Sequence, residues 1–105
     1  MDYFEIVNFQ LIKGKDQIAD YWQIDFDENN ELPTGYPVDE YESNGFMKSK
    51  QIQDFPIRGK AVFLRLRKRR WRHKKTRAII KRDFTFISEG AKLTKELSDF
   101  LKDRS

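Results

Sequence analysis

Apolar and polar residues alternate strictly near the start of this chain. Val7, Phe9 and Leu11 share one side of an extended segment, and Asn8 and Gln10 share the other. Lys13-Gly14-Lys15-Asp16 reads as a turn. Beyond it Trp22, Ile24 and Phe26 alternate with Tyr21, Gln23, Asp25 and Asp27. A period of two on both sides of a Gly-containing turn predicts a β-hairpin. From Asp27 to Gly45 the alternation stops. This stretch holds Asn29-Asn30, Pro33, Gly35, Pro37 and six acids, and it reads as a long acidic loop. Phe46 to Ile52 fits a short strand. Asp54-Phe55-Pro56 then marks a break, because the residue before Pro avoids the helical region.

Alternation returns with Val62, Leu64 and Leu66 on one face. Phe63, Arg65, Arg67, Arg69 and Trp71 occupy the other. A basic helix for a DNA groove is the alternative, but no apolar residue follows Leu66 at helical spacing, so a strand is predicted. Arg72 to Thr76 reads as a polar connection. Ile80, Phe84 and Phe86 resume the alternation, which predicts a long basic hairpin over 61–87. Leu93, Leu97, Phe100 and Leu101 then fall on one stripe of an amphipathic helix. Thr94 is placed to cap it, with Glu96 in its first turn. The expected organisation is one α+β domain over 1–105. It comprises an acidic hairpin plus loop (1–54), a basic β-hairpin (55–87) and a C-terminal amphipathic helix (88–105).

Charge changes this picture most. From Phe55 to Arg82 there are 28 residues without an Asp or Glu, holding 13 of the 21 bases. Residues 1–54 carry 12 acids against 4 bases, and residues 83–105 carry 5 acids against 4 bases. The segment charges of −8, +13 and −1 sum to the net +4. Such segregation points to a polyanionic partner, of which nucleic acid is the commonest. Arg58, Lys60, Arg65, Arg67, Arg69, Arg70, Arg72, Lys74, Lys75 and Arg77 are the candidate phosphate contacts, since guanidinium groups grip phosphate through two bonds. Trp71 is either a platform that stacks on a base or a core residue.

Other chemistries find little support. There is no Cys and only one His, His73, so no metal or other cofactor is expected. The serines lack a nucleophile motif, and no Gly-rich phosphate loop occurs, so no catalysis is expected. No apolar run approaches the ~20 residues of a membrane span. The absence of Cys fits a cytoplasmic protein.

The block from Asp54 through Pro56, Gly59-Lys60 and Leu66 to Arg69-Arg70-Trp71-Arg72 resembles the N-terminal region of bacterial insertion-sequence transposases of the ISL and ISAon type. Glu89 to Leu97, Phe100 to Lys102 and Asn30 to Pro33 extend the resemblance. In those proteins this region is a zinc ribbon ahead of a helix-turn-helix and binds the ends of the transposon. The resemblance implies a zinc-ribbon-like pair of small antiparallel hairpins without metal, since His73 and Thr76 stand where the second cysteine pair would fall. It implies duplex transposon-end DNA as partner, with catalysis supplied by a subunit encoded downstream. Two readings compete with it. One is a protein-interaction module whose acidic and basic segments satisfy each other within one chain or across a homodimer. The other is an RNA-binding accessory protein.

Overall fold

The computed structural model describes residues 3–84 and 95–102. Strands β1 (Phe4–Ile12), β2 (Tyr21–Glu28), β4 (Lys50–Ile57) and β5 (Lys60–Arg67) form a four-stranded sheet in the order β1-β2-β5-β4. Strands β3 (Tyr41–Phe46), β6 (Arg69–His73) and β7 (Ile79–Ile80) form a smaller sheet in the order β3-β6-β7. Helix α1 covers Lys95–Lys102.

The predicted first hairpin is present. β1 and β2 run antiparallel, with Leu11 opposite Trp22 and Phe9 opposite Ile24. A bulge between Ile6 and Asn8 removes Val7 from the regular alternation. The turn depends on Gly14. A Cβ there would lie 1.7 Å from the Ile18 carbonyl oxygen, while the Gly14 N–H donates to Asp20 Oδ1 at 2.9 Å. That bond, with help from Lys13, holds the Asp20 carboxyl below its ordinary range.

The predicted basic hairpin forms only at its turn end, where β6 and β7 pair antiparallel with Trp71 opposite Ile80. β5 pairs parallel with β2 and antiparallel with β4, whereas β6 pairs with β3 and β7 in the other sheet. The long basic strand therefore bends from one sheet into the other at Lys68. Lys68 is buried; its Nζ donates to the Phe100 carbonyl at 3.0 Å and lies 4.8 Å from the Phe100 ring centre. Its own carbonyl accepts the Met47 N–H at 2.7 Å, where β3 gives way to β4. Both chain crossings thus share one corner. An all-antiparallel pair of hairpins is replaced by a mixed sheet plus a small antiparallel one. The acidic loop is shorter than expected, because Tyr41–Phe46 is a strand. Asp54-Phe55-Pro56 bends β4 without ending it, through a bulge between Asp54 and Ile57. Pro56 is tolerated because β4 is an edge strand.

Val62, Leu64 and Leu66 do share a face, and they are buried with Ile24, Ile52, Phe4 and Phe84. Leu97, Phe100 and Leu101 of α1 close over this face, as their spacing predicts. Leu93, Thr94 and Phe86 lie outside the described residues. No helix among the described residues is long and apolar enough to cross a membrane.

The β4–β5 turn places Arg58 at φ 51° and Gly59 at φ 77°. This two-residue turn favours Asn before Gly, since a bulky side chain is disfavoured in the left-handed region. Arg58→Asn should therefore raise stability, by about 1 kcal/mol, in urea unfolding. Leu97→Ala should lower it by about 2–5 kcal/mol on the same measurement. That is a large part of the ~5–15 kcal/mol that holds a domain folded.

Candidate nucleic-acid interface

The face of the larger sheet opposite the core is polar by alternation. The parallel register sets Asp25 beside Arg65 and Asp27 beside Arg67. Arg65 Nη2 lies 2.8 Å from Asp25 Oδ2. Arg67 grips Asp27 through two bonds, Nε to Oδ1 at 2.7 Å and Nη2 to Oδ2 at 2.6 Å. Asn8 and Gln23 also donate to Asp25, at 3.3 and 3.1 Å. Both aspartates are buried beneath these groups. The bond to Asp27 raises the Arg67 pKa above its ordinary value. Two guanidinium groups lie over the Phe46 ring, Arg67 at 4.0 Å and Arg69 at 4.4 Å from its centre. The arginine side chains stay about half exposed, 54% for Arg65 and 44% for Arg67. Each ion pair is therefore worth no more than about 1 kcal/mol. Their larger effect is to neutralise charge that the sequence assigns to a partner.

Arg69 is committed as well. Its backbone N–H donates to Glu28 Oε1 at 2.9 Å, its Nε to the Glu28 carbonyl at 3.2 Å, and its Nη1 to Ser43 Oγ at 2.9 Å. Glu28, 1% exposed, also accepts from Arg82 Nε at 3.0 Å. Arg82 reaches on to the Glu31 carbonyl and lies over the Tyr3 ring. Desolvation raises the Glu28 pKa above 4.5 despite its bonds to Arg69 and Arg82. Beside this corner is a cavity of about 210 Å³, where Lys68, Arg69, Lys81, Arg82 and Lys102 line the wall with Glu28 and Asp83.

Of the two readings of Trp71, the core one holds, so its place among the candidate DNA contacts falls away. It is 1% exposed, and its Nε1 donates to Asn30 Oδ1 at 3.0 Å beneath the 29–40 loop. Alternation in β6 sends its neighbours Arg70 and Arg72 to the opposite face. Arg72 reaches Glu42 at 3.0 Å, and Arg77 approaches the same carboxylate at 3.9 Å. Arg70 is half-buried, and its Nε is buried with no acceptor among the described residues. The turn after β6 carries Lys74 and Lys75, both exposed. His73 shapes that turn: its Nδ1 accepts the N–H groups of Lys75 and Thr76, both at 3.1 Å. Its Nε2 faces Glu40 at 3.6 Å. Arg77 closes the turn at φ 67°.

Arg58 and Lys60 sit at the far end of β5, roughly 25 Å of strand from Lys68. The eleven predicted residues therefore divide into three groups. Arg58 and Lys60 stand at a hairpin tip. Arg65, Arg67 and Arg69 are held by acids of β2. Arg70, Arg72, Lys74, Lys75 and Arg77 gather on the outer face of β6 and its turn, while Trp71 lies beneath them. The sequence reading missed the role of Asp25 and Asp27. Their signal was present, because both stand opposite the apolar parity of β2, as Arg65 and Arg67 do in β5.

No group of three or more His, Asp or Glu side chains among the described residues is placed to hold a metal ion. No family model, curated protein or solved structure matches the chain.

Glu28 gives a pH signature. Its folded pKa is raised, so between pH 4.5 and that folded value the native state binds the proton that the unfolded state has lost. Its contribution to stability is present at the acid side and is lost as pH rises through this window. Thermal melts across the window should show wild type losing stability relative to Glu28→Gln as pH increases. A difference that stays constant with pH removes Glu28 as the titrating group.

Proposed function

We propose that this protein is a non-catalytic nucleic-acid-binding domain whose contact surface is the outer face of β6 and the turn that follows it. One observation carries the reading. Arg70, Arg72, Lys74, Lys75 and Arg77 gather there against Glu42, with Glu40 turned to His73, whereas Arg65 and Arg67 are each matched by an aspartate. A strand-and-turn surface of this kind grips phosphates and sets position; it carries no sequence readout of its own. Duplex DNA is the preferred partner. The transposon-end assignment, with a catalytic subunit encoded downstream, is supported by the resemblance over residues 54–102.

The protein-interaction reading draws support from the Asp25–Arg65 and Asp27–Arg67 pairs, which neutralise charge within the chain. Salt dependence separates the two. With four or five phosphates contacted, log affinity for duplex DNA against log salt should have a slope of roughly −3.6 to −4.5. Lys74→Glu with Lys75→Glu should weaken binding to all duplexes alike and flatten that slope by about 1.8. Arg65→Gln with Arg67→Gln should leave the slope unchanged while lowering stability. Binding without salt dependence favours the interaction module. Preference for structured RNA over duplex DNA in competition favours the RNA-binding reading.

A further inference from the structure

We infer that the free edge of β1 is a self-association surface, through which two copies join their larger sheets antiparallel, β1 against β1, about a two-fold axis.

The two edges of the larger sheet differ in kind. A free edge presents unpaired N–H and C=O groups, and proteins guard such edges with Lys, Pro, bulges or brevity. β4 is guarded by Lys50, by Pro56 and by its bulge between Asp54 and Ile57. β1 has nine residues, no Lys, Arg or Pro, and Glu5 as its one charge. Among the described residues no strand lies outside it. Its bulge removes one residue, Val7, and leaves Asn8 to Ile12 in regular register.

The side chains along this edge are apolar and uncovered. Ile6 is 57% exposed, Val7 51% and Phe9 53%. Phe9 packs on Trp22, with ring centres 5.2 Å apart, so the apolar strip continues from the edge onto the sheet. Helix α1 contacts β4, at the other side of the same face. Among the described residues, the helix lies chiefly against β4 rather than β1.

A second copy fits this edge on three counts. Antiparallel pairing centred on Phe9 sets that ring against its copy and Val7 against Leu11, and satisfies the open backbone groups of both chains at once. A two-fold arrangement is closed, so it consumes the edge and does not propagate. It also keeps the two Glu5 carboxylates more than about 15 Å apart along the strands, beyond the screening length of about 8 Å at physiological salt. This surface lies on β1 and the proposed nucleic-acid contact on β6, so neither reading depends on the other.

The experiment uses the whole chain without nucleic acid. Sedimentation across a concentration series should show a reversible dimer. The chain has no native Cys, so Gln10→Cys on β1 and Gln51→Cys on β4 can each take one nitroxide label. In the joined sheet, labels on β1 should lie within about 20 Å. Labels on β4 should be more than about 30 Å apart, across seven strand spacings of ~4.8 Å. Val7→Lys and Gln10→Lys are exposed changes that keep the fold, checked by circular dichroism. Each should raise the dimer dissociation constant on the order of ten-fold or more, because each copy then brings a charged lysine onto the shared edge. A chain that stays monomeric at every concentration overturns the inference. So does a dimer whose β4 labels are the closer pair, or one that neither lysine variant weakens.

Discussion

A single buried carboxylate ties the two sheets together. Glu28 ends β2, and both of its carboxylate oxygens bond residues on the other side of the corner. One oxygen takes the Arg69 N–H, which starts β6, and the other takes Arg82, which follows β7. Burying a carboxylate is costly, and the raised pKa records that the cost is not fully repaid. The arrangement is therefore better understood as a device for geometry than for net stability. Removing the Arg82 side chain leaves the buried carboxylate without its charged partner.

The second corner element is Lys68. It is the one base of the 65–70 run that faces inward, and it does so at the point where the strand leaves one sheet for the other. Its ammonium group lies against the Phe100 ring and carbonyl, so α1 is anchored by a polar bond as well as by its apolar stripe. The basic segment therefore has three kinds of residue that composition cannot separate. Arg65 and Arg67 are partners for acids, Lys68 is a pivot, and Arg70, Arg72 and the turn face outward.

Local pattern made the elements legible and left their pairing hidden. The alternation of Trp22, Ile24 and Phe26 and of Val62, Leu64 and Leu66 identified two strands and their buried faces. The stripe of Leu97, Phe100 and Leu101 identified the helix and its packing. Nothing local told that β5 joins β2, since their partnered residues are 40 positions apart and parallel. Strands adjacent in sequence usually pair as hairpins, so the bend at Lys68 looked like one more alternating position. Trp71 was misplaced for the same reason: counted through Lys68, it shares parity with Arg65 and Arg67, yet the bend gives it a different sheet. The candidate site was legible in composition and illegible in detail. Thirteen bases announced an anionic partner, but several of those anions are in the same chain.

Charge and hydrophobicity together fix the parallel register, and neither does so alone. A slip of one residue would turn every side chain of β5 to the wrong face. A slip of two keeps the faces. In one direction it sets Asp25 against Phe63 and leaves a buried carboxylate without its arginine. In the other direction it sets Asp25 against Arg67 and Asp27 against Arg69, so the ion pairs survive. That register fails elsewhere: Phe26 would face Lys68 in place of Leu66, and Glu28 would lose the Arg69 N–H. The aspartates thus exclude one error, and the corner excludes the other. This accounts for part of the charge segregation within the chain itself. It also sets the limit of that account, because the bases beyond Arg69 lie past the end of β2. No aspartate of that strand can reach Arg70, Arg72 or the turn. Their charge is the part of the basic segment that register does not require.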